Sequence, residues 1–252
     1  MWKEIGRAFS LLGSGQYSKD CRCIILRGEG KGFCGGIDIS DPSFGASEEA
    51  DEADTARQYL SFQPQILQMQ ECLSSIETKC PYPVIAAIHG SCIGAGVDLV
   101  CCTDIRLCAP HTIFGVREAA LGLAADVGTL QRFPKIVGHG SRVRELCITG
   151  QNFDSIEAER IGFVSRISKT DQSLMNEAME IANKIVANSP VAVVGTKMSM
   201  VYSRDHSVQE GLKHVAMHNA AALITDDLGL SLMSKNDRNS KNFENLLPHA
   251  RL

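Results

Sequence analysis

Three carboxylates of this chain lie in apolar stretches of sequence. Asp98 lies inside the run from Gly94 to Cys102, and Glu118 and Asp126 flank the segment Ala-Ala-Leu-Gly-Leu-Ala-Ala. A buried ionised carboxylate without a partner is costly, so such a group usually takes up a proton or pairs with another group. Acids in these surroundings are therefore candidates for proton transfer during a reaction.

Glycine-rich turns accompany the acids. The stretch from Pro83 to Asp98 predicts a buried strand, a glycine-rich turn and the start of a helix, and a second turn, Phe-Cys-Gly-Gly-Ile-Asp-Ile, lies upstream at 33–39. Small residues let backbone N–H groups approach a ligand closely. Such donors stabilise an oxygen on which negative charge develops.

These motifs occur in one order along the chain, with the segments 114–123 and 126–134 following the two turns. The series resembles the enoyl-CoA hydratase/isomerase (crotonase) superfamily, and within it most of all the Delta(3,5)-Delta(2,4)-dienoyl-CoA isomerases, from about residue 2 to about residue 235. The resemblance implies an α/β fold, a crotonase-like spiral of β-β-α units with a C-terminal helical trimerisation region. It divides the chain into a core at 1–190 and a C-terminal helical region and tail at 191–252.

The resemblance also assigns the binding groups. The N–H groups of Ile37 and Ala95 are expected to form the oxyanion hole for the thioester, and Gly36, Asp38 and Gly94 to contact the substrate. Family members usually carry glycine where this chain has Ala95. A backbone donor survives that replacement, although the methyl group narrows the pocket.

Roles for the acids follow from the same resemblance. Glu118 is expected to take the proton from carbon 2, Asp126 to deliver one to carbon 6, and Asp98 to tune the charge of Glu118. Neighbouring carboxylates do not all ionise cheaply, so a shared proton leaves one acid protonated and another ionised near neutral pH. That is the state a proton shuttle needs.

Asp126 separates two activities within the superfamily. Simple hydratases resemble this chain at Asp98 and Glu118, where they carry two glutamates that activate water, but they have no acid at the position of Asp126. The sequence therefore favours isomerisation of 3,5-dienoyl-CoA to 2,4-dienoyl-CoA in fatty acid β-oxidation, with 2-enoyl-CoA hydratase as the alternative.

Two further classes stay open at this point. The spacing Gly90-Ser-Cys-Ile-Gly-Ala-Gly96 matches the phosphate turn of short-chain dehydrogenases, although it lies far from the N-terminus and no Tyr-x-x-x-Lys occurs. A non-catalytic scaffold of crotonase shape is the other. The presence of all three acids argues against a scaffold.

Each candidate residue also has a plainer interpretation. Asp126 precedes Val-Gly-Thr and suits a helix N-cap, Glu118 a solvated loop acid, and Asp98 a helix-start residue stabilised by the helix dipole. His89 suits a packed histidine at a strand end, and Asp38 a residue that supports its loop. Cys34 and Cys92 lie near the expected pocket, but no paired histidine marks either as a nucleophile.

Bulk properties limit the classes of partner. The formal net charge of -4 provides no basic field for nucleic acid. The ten cysteines include no C-x-x-C pair, so no structural zinc is expected, and no apolar run reaches the length of a membrane span. We expect no cofactor or metal, an acyl-CoA as the substrate, and a homotrimer or hexamer.

The termini carry two more expectations. Met1-Trp-Lys-Glu-Ile resembles the first helix of the family, so we expect the β-hairpin that precedes it in other members to be missing here, either because the true start lies upstream or because the protein lacks part of its CoA site. Ala250-Arg251-Leu252 resembles a peroxisomal address, which favours the peroxisome or a related organelle, with the mitochondrion as the alternative.

Patterning along the chain predicts the elements that position these residues. Short strands are expected at 23–26, 84–88, 105–108, 113–116 and 163–167, and a helix within 50–78 after a mobile acidic loop. From Asp171 the pattern is helical, with Ser189-Pro190 as a helix start and Ser207-Val-Gln-Glu210 as a capping box. The tail from Lys235 to Leu252 is expected to be loosely ordered.

Overall fold

The computed structural model describes residues 1–15, 20–38, 54–138, 140–233 and 243–247. The acidic loop predicted before the long helix lies outside these residues. The described part contains seven strands: β1 (Ile24–Arg27), β2 (Val84–Ile88), β3 (Ser91–Ile93), β4 (Ile105–Cys108), β5 (Ile113–Gly115), β6 (Asn152–Asp154) and β7 (Arg166–Ile167).

Ten helices accompany the strands in the same described ranges. They are α1 (Trp2–Gly13), α2 (Thr55–Thr78), α3 (Ala95–Cys101), α4 (Thr129–Ile136), α5 (Gly140–Thr149), α6 (Ser155–Arg160), α7 (Leu174–Val186), α8 (Pro190–Ser203), α9 (Val208–Ala222) and α10 (Asp226–Met233). A 3-10 turn spans Glu118–Leu121. The predicted first helix is thus present as α1.

The main sheet has four parallel strands in the order β1-β2-β4-β7. All five residues of β2 are buried, as expected of a central parallel strand that is covered on both faces. The strands predicted at 84–88 and 105–108 are confirmed. The strand predicted at 163–167 is confined to Arg166–Ile167, because the N–H groups of Phe163 and Val164 donate to Ala158 O at the end of α6.

A second sheet is built from three short strands in the order β3-β5-β6. β3 runs parallel to β5, with Ser91 opposite Ile113, and β6 runs antiparallel to β5. Of these strands, the sequence predicted β5, at 113–116, but not β3, which lies inside the glycine-rich turn, or β6, whose two outer residues are polar. Both sheets lead into the turns that carry the predicted site.

Apolar side chains cover both faces of the main sheet. One cluster includes four phenylalanines in mutual ring contact, with centroids 4.7 Å apart for Phe133 and Phe163 and 5.3 Å apart for Phe114 and Phe153. On the other face, Leu174, Ala178 and Ala182 of α7 pack against the strands. The helix period of α7 places these three residues on one side, which is why this helix lies on the sheet.

The C-terminal helices begin where the sequence predicts. Ser189 Oγ accepts the N–H of Ala192 at 3.2 Å to cap α8, and Pro190 is its first residue. Ser207 and Glu210 form a capping box at the start of α9. Capping by side chains satisfies N–H groups that the helix itself leaves without partners.

Part of the C-terminal tail is fixed against the N-terminal half of the chain. Phe243 is only 3% exposed, and Arg22 donates to Phe243 O and, at 2.5 Å, to Asn245 Oδ1. Asn245 donates in turn to Asp20 Oδ1 at 2.8 Å. The prediction of a loosely ordered tail is therefore wrong for 243–247, because these contacts join residues more than 220 positions apart and leave no local pattern.

His111 has a positive φ of 63°, which is unusual for a residue with a side chain. It follows Pro110 in the turn that Thr112 N closes onto Ala109 O. We expect His111→Gly to stabilise the fold by about 0.5 kcal/mol, since relief of left-handed strain slightly exceeds the entropy that glycine adds to the unfolded chain. His111→Val should destabilise it, because a β-branched side chain disfavours positive φ most. Urea unfolding checks both signs, and equal stability of the two variants would contradict this account.

Candidate active site

Two glycine turns are held side by side at the carboxyl end of β2. Cys34 and Cys92 form a parallel β-bridge, Phe33 N donates to His89 O at 2.8 Å, and Ile93 N donates to Cys34 O at 2.9 Å. These bonds fix the turn that carries Gly36 and Ile37 next to the turn that carries Gly94 and Ala95. The two turns predicted to form the oxyanion hole are thus neighbours.

Glycine is required in both turns. Gly36 has a φ of 96° and Gly94 a φ of 53° with a ψ of -119°, conformations that side chains disfavour. A Cβ built on Gly94 would lie 3.2 Å from Glu118 Oε1 and 3.9 Å from Gly36 Cα. The two turns and the Glu118 carboxylate therefore meet at one place.

The predicted oxyanion donors suit that role. Ala95 begins α3, so its N–H has no partner inside the helix. Within the described residues, neither this N–H nor that of Ile37 donates to another backbone group. Their convergence on a single oxygen stays a prediction, as do the substrate contacts of Gly36, Asp38 and Gly94.

Asp98 lies on α3 and is 1% exposed. Its Oδ1 accepts the N–H of Thr129, the first residue of α4, at 2.6 Å. Burial raises the pKa of Asp98, hydrogen bonding from Thr129 opposes the rise, and the charge of Asp126 adds to it. Asp98 lies in the first turn of α3, in agreement with its plainer interpretation. Its carboxylate, however, accepts a hydrogen bond from the first residue of another helix, α4.

Glu118 opens the 3-10 turn and is half-buried. Its Oε2 is buried and has no hydrogen-bond partner among the described residues. Burial raises the pKa of Glu118, and the nearby charges of Asp98 and Asp126 raise it further. An acid with a raised pKa and a free oxygen suits a general base, so the interpretation as a solvated loop acid is wrong.

Asp126 lies in the loop between the 3-10 turn and α4. Its carbonyl accepts a hydrogen bond of 2.6 Å from Gln70 Nε2 of α2, which anchors the loop. Gly128 is the N-cap of α4 and no side chain caps that position, so Asp126 is not the cap that its sequence context suggested. The carboxylate of Asp126 is half-buried and acts electrostatically on both other acids.

The structure thus brings the three predicted acids into one electrostatically coupled group beside the two glycine turns. The pKa values of Asp98 and Glu118 are both raised, and the charge of Asp126 contributes to each rise. Such a group is able to accept a proton at one position and release one at another. The geometry suits a double-bond shift next to a carbonyl that the turns bind.

Other residues near the site have structural or unassigned roles. His89 Nε2 lies 3.1 Å from Gly30 O and so holds the loop before the Gly36 turn, in agreement with its plainer interpretation. Burial raises the pKa of Cys92 well above its usual value, which makes this thiol a poor nucleophile.

No sequence pattern indicates that Cys147 of α5 is near the acids. Burial raises the pKa of Cys147 to about 11, and the charges of Glu118 and Asp98 contribute. Gln70 and Thr129 were also missed. Each reaches the site from a distant element, so no local pattern marks it.

The described residues contain neither a cluster of metal ligands nor a membrane-spanning helix. No three side chains of His, Cys, Asp or Glu cluster so that they would hold a metal ion. None of the helices in these ranges is both long enough and apolar enough to cross a bilayer.

Gly94→Ala should reduce kcat/KM by at least ~10²-fold, because the new methyl group would press on Glu118 and strain the backbone that presents Ala95 N–H. Gly162→Ala is the matched control: Gly162 also has a positive φ, 80°, but a Cβ there would meet nothing within 4 Å. Steady-state kinetics and thermal unfolding separate the two effects. Comparable kinetic losses in both variants would show that backbone strain alone is responsible.

The dehydrogenase alternative is wrong. The residues between Gly90 and Gly94 form β3, which pairs with β5 in the second sheet. A dinucleotide-binding turn instead joins a strand directly to a helix and leaves its backbone open to the phosphates.

Comparisons with known proteins identify the family of the chain. The chain matches the family described as Enoyl-CoA hydratase/isomerase over residues 1–228. It is 41% identical over 248 residues to the mitochondrial Delta(3,5)-Delta(2,4)-dienoyl-CoA isomerase of Mus musculus, covering 97% of this chain and 74% of that one. It is 40% identical over 243 residues to the peroxisomal Delta(3,5)-Delta(2,4)-dienoyl-CoA isomerase of Arabidopsis thaliana, covering 96% and 86%.

A solved structure supports the fold. The enoyl-CoA hydratase of Bacillus anthracis superimposes with a TM-score of 0.83 at 26% identity, covering 96% of this chain and 88% of that one. The crotonase fold predicted from the motif series is therefore confirmed. The chain belongs to the enoyl-CoA hydratase/isomerase family.

Proposed function

We propose that the protein isomerises 3,5-dienoyl-CoA to 2,4-dienoyl-CoA. The observation that carries this proposal is the coupling of a third acid, Asp126, to the pair Asp98 and Glu118. Relatives about 40% identical over nearly the whole chain bear the name of this isomerase. A hydratase needs the pair alone, so the third acid favours the isomerase.

The proposed reaction begins at the thioester. The N–H groups of Ile37 and Ala95 bind its oxygen and stabilise the enolate. Glu118 removes the proton from carbon 2, and the electrons move along the diene to place double bonds at carbons 2 and 4. Asp126 then delivers a proton to carbon 6. One proton is taken up and one released by the enzyme, so no cofactor is consumed.

The unpaired oxygen of Glu118 fits the role of base. Because Glu118 Oε2 is buried without a partner, forming a hydrogen bond to substrate costs no bond already made in the protein. Its raised pKa makes the carboxylate a stronger base once it is ionised. Asp98 accepts the N–H of Thr129, and this hydrogen bond favours the ionised form of Asp98 against the effect of burial.

Absorbance spectroscopy tests this function directly. The purified protein is mixed with a 3,5-dienoyl-CoA, and the conjugated 2,4-dienoyl product is followed where the substrate does not absorb. A second assay follows hydration of a 2-enoyl-CoA, since the chain also is 34% identical to the short-chain-enoyl-CoA hydratase of Clostridium acetobutylicum. Rapid hydration with no diene product would favour the hydratase.

We also propose a trimer or a dimer of trimers. Large apolar side chains of the C-terminal helical region face solvent in the isolated chain, including Val208, Ile224 and Met233, each at least 80% exposed. A contact with other copies of the chain would remove such side chains from water. Light scattering should report three or six times the chain mass, and a stable monomer at micromolar concentration would contradict the assembly.

An organellar location belongs to the same proposal. The relatives include mitochondrial and peroxisomal proteins. Ala250-Arg251-Leu252, the tripeptide that favours the peroxisome, lies outside the described residues. Imaging of a fusion with a fluorescent protein at its N-terminus, with and without these three residues, distinguishes the two organelles.

A further inference from the structure

A buried ion-pair network lies behind the acids. Arg132 of α4 is 12% exposed, and its Nε donates to Glu77 Oε2 at 2.9 Å and its Nη2 to Ser74 Oγ at 2.9 Å. Glu77 is buried on α2 and also pairs with Arg204, the residue that follows α8. The network therefore joins three helices beneath the site.

The helix that carries Arg132, α4, also supplies the hydrogen bond to Asp98. Thr129, one turn before Arg132 on α4, donates its N–H to Asp98 Oδ1. Arg132 Nη1 lies against Gly128, where even a Cβ would collide with it. The guanidinium group is thus packed on the first turn of α4, at the end that faces Asp98.

The charge of Arg132 acts on Asp98 and favours its ionised form, against the effect of burial. Asp98 has several other charged or titratable neighbours. They are the acids Glu118 and Asp126 and the thiols Cys92, Cys101, Cys102 and Cys147, with Glu77 and Arg204 behind Arg132. Arg132 is the cation whose charge acts on Asp98 against those of the acids.

We propose that Arg132 is a positioning residue of this site, which holds the first turn of α4 against Asp98 and places a positive charge behind Asp98 while Glu118 and Asp126 exchange the proton. The proposal rests on the proposed isomerase function. Arg132 acts through Asp98 and Thr129 and contacts no reacting atom.

Arg132→Gln keeps a hydrogen-bonding side chain and removes the charge. Without the cation, Asp98 takes up a proton at higher pH. The acid limb of the pH profile of kcat/KM should therefore move to higher pH by about 1 unit. Relative to the unmutated protein, the variant should then lose about ten times more activity at one pH unit below the original limb than on the plateau. Arg132→Lys keeps the charge, so its acid limb should lie at the same pH as that of the unmutated protein.

Glu77→Gln should move the acid limb of the pH profile to lower pH, the direction opposite to that of Arg132→Gln. Removal of the Glu77 charge leaves Arg132 less neutralised, and this strengthens its effect on Asp98. Opposite shifts from two substitutions in one ion pair are not expected if the pair only holds the fold together. This variant also keeps the proposal testable if Arg132→Gln does not fold.

Lys135→Gln is the control, because Lys135 is an exposed cation on the same helix and pairs with Asp205 at the surface. Its limb should match that of the unmutated protein. Unshifted limbs in both Arg132→Gln and Glu77→Gln, with activity reduced equally at every pH, would overturn the proposal. Turnover of the unmutated protein is measured first, so failure of the isomerase function is recognised separately.

Discussion

Asp126→Asn is expected to slow formation of 2,4-dienoyl-CoA by about 10² to 10⁴ fold, the usual contribution of a positioned general acid or base. The substitution keeps the shape of the side chain and removes the proton that it delivers to carbon 6. Gln70 binds the backbone carbonyl of Asp126, so the loop keeps this anchor in the variant. Substrate affinity should change little.

Proton exchange separates the two halves of the reaction in this variant. In deuterated water, exchange at carbon 2 needs Glu118 and the oxyanion donors but no proton delivery at carbon 6. The Asp126→Asn protein should therefore retain exchange that it does not convert into product. Asp171→Asn, which changes an exposed acid outside the site, is the control. Turnover of Asp126→Asn at the unmutated rate would remove the main support for the isomerase and favour the hydratase.

Glu118→Gln should have at least as large an effect, about 10⁴-fold, because no step begins without removal of the proton from carbon 2. Exchange at carbon 2 should be lost together with isomerisation. This result distinguishes it from Asp126→Asn, whose exchange survives. Mass spectrometry of the recovered substrate measures the exchange, and substantial exchange by Glu118→Gln would assign the base to another residue.

The same substitution has a predicted effect on stability. The pKa of Glu118 in the folded protein is raised above its ordinary value of 4.5, so the folded state disfavours the ionised form. Above the raised pKa this costs stability, and glutamine removes the cost; below about 4.5 the acid is protonated in both states and the cost disappears. Glu118→Gln should therefore unfold at higher temperature near pH 8, with a smaller difference as the pH falls. A lower unfolding temperature at pH 8 would contradict this.

Much of the site was predictable because it depends on local sequence. The turns are marked by glycines, and their neighbours Ile37 and Ala95 follow by position. Asp98, Glu118 and Asp126 stand out because acids are rare in apolar segments. The strands β2 and β4 were predicted with their observed bounds, since short, mostly apolar runs bounded by turn residues are typical of strands.

What the sequence did not predict depends on contacts between distant residues. The bond from Thr129 to Asp98 spans 31 positions, and the pairs of Glu77 with Arg132 and Arg204 span 55 and 127. A local pattern shows that a residue is polar but not which partner the fold brings to it. The interpretation of Asp126 as an N-cap was wrong for the same reason: Asp98, from another helix, binds the first N–H of α4.

Because Asp98 accepts the N–H of Thr129, its carboxylate both influences the charge of Glu118 and helps to attach α4. Gly128 offers no side chain at the helix start, so α4 depends on Asp98 where most helices depend on an adjacent residue. Asp126 lies three residues before Thr129 on the same stretch of backbone. A change at Asp98 therefore alters the distance between proton donor and substrate as well as the charge beside the base. Kinetic defects in Asp98 variants will combine geometry with electrostatics, and the three acids will not contribute additively when they are mutated together.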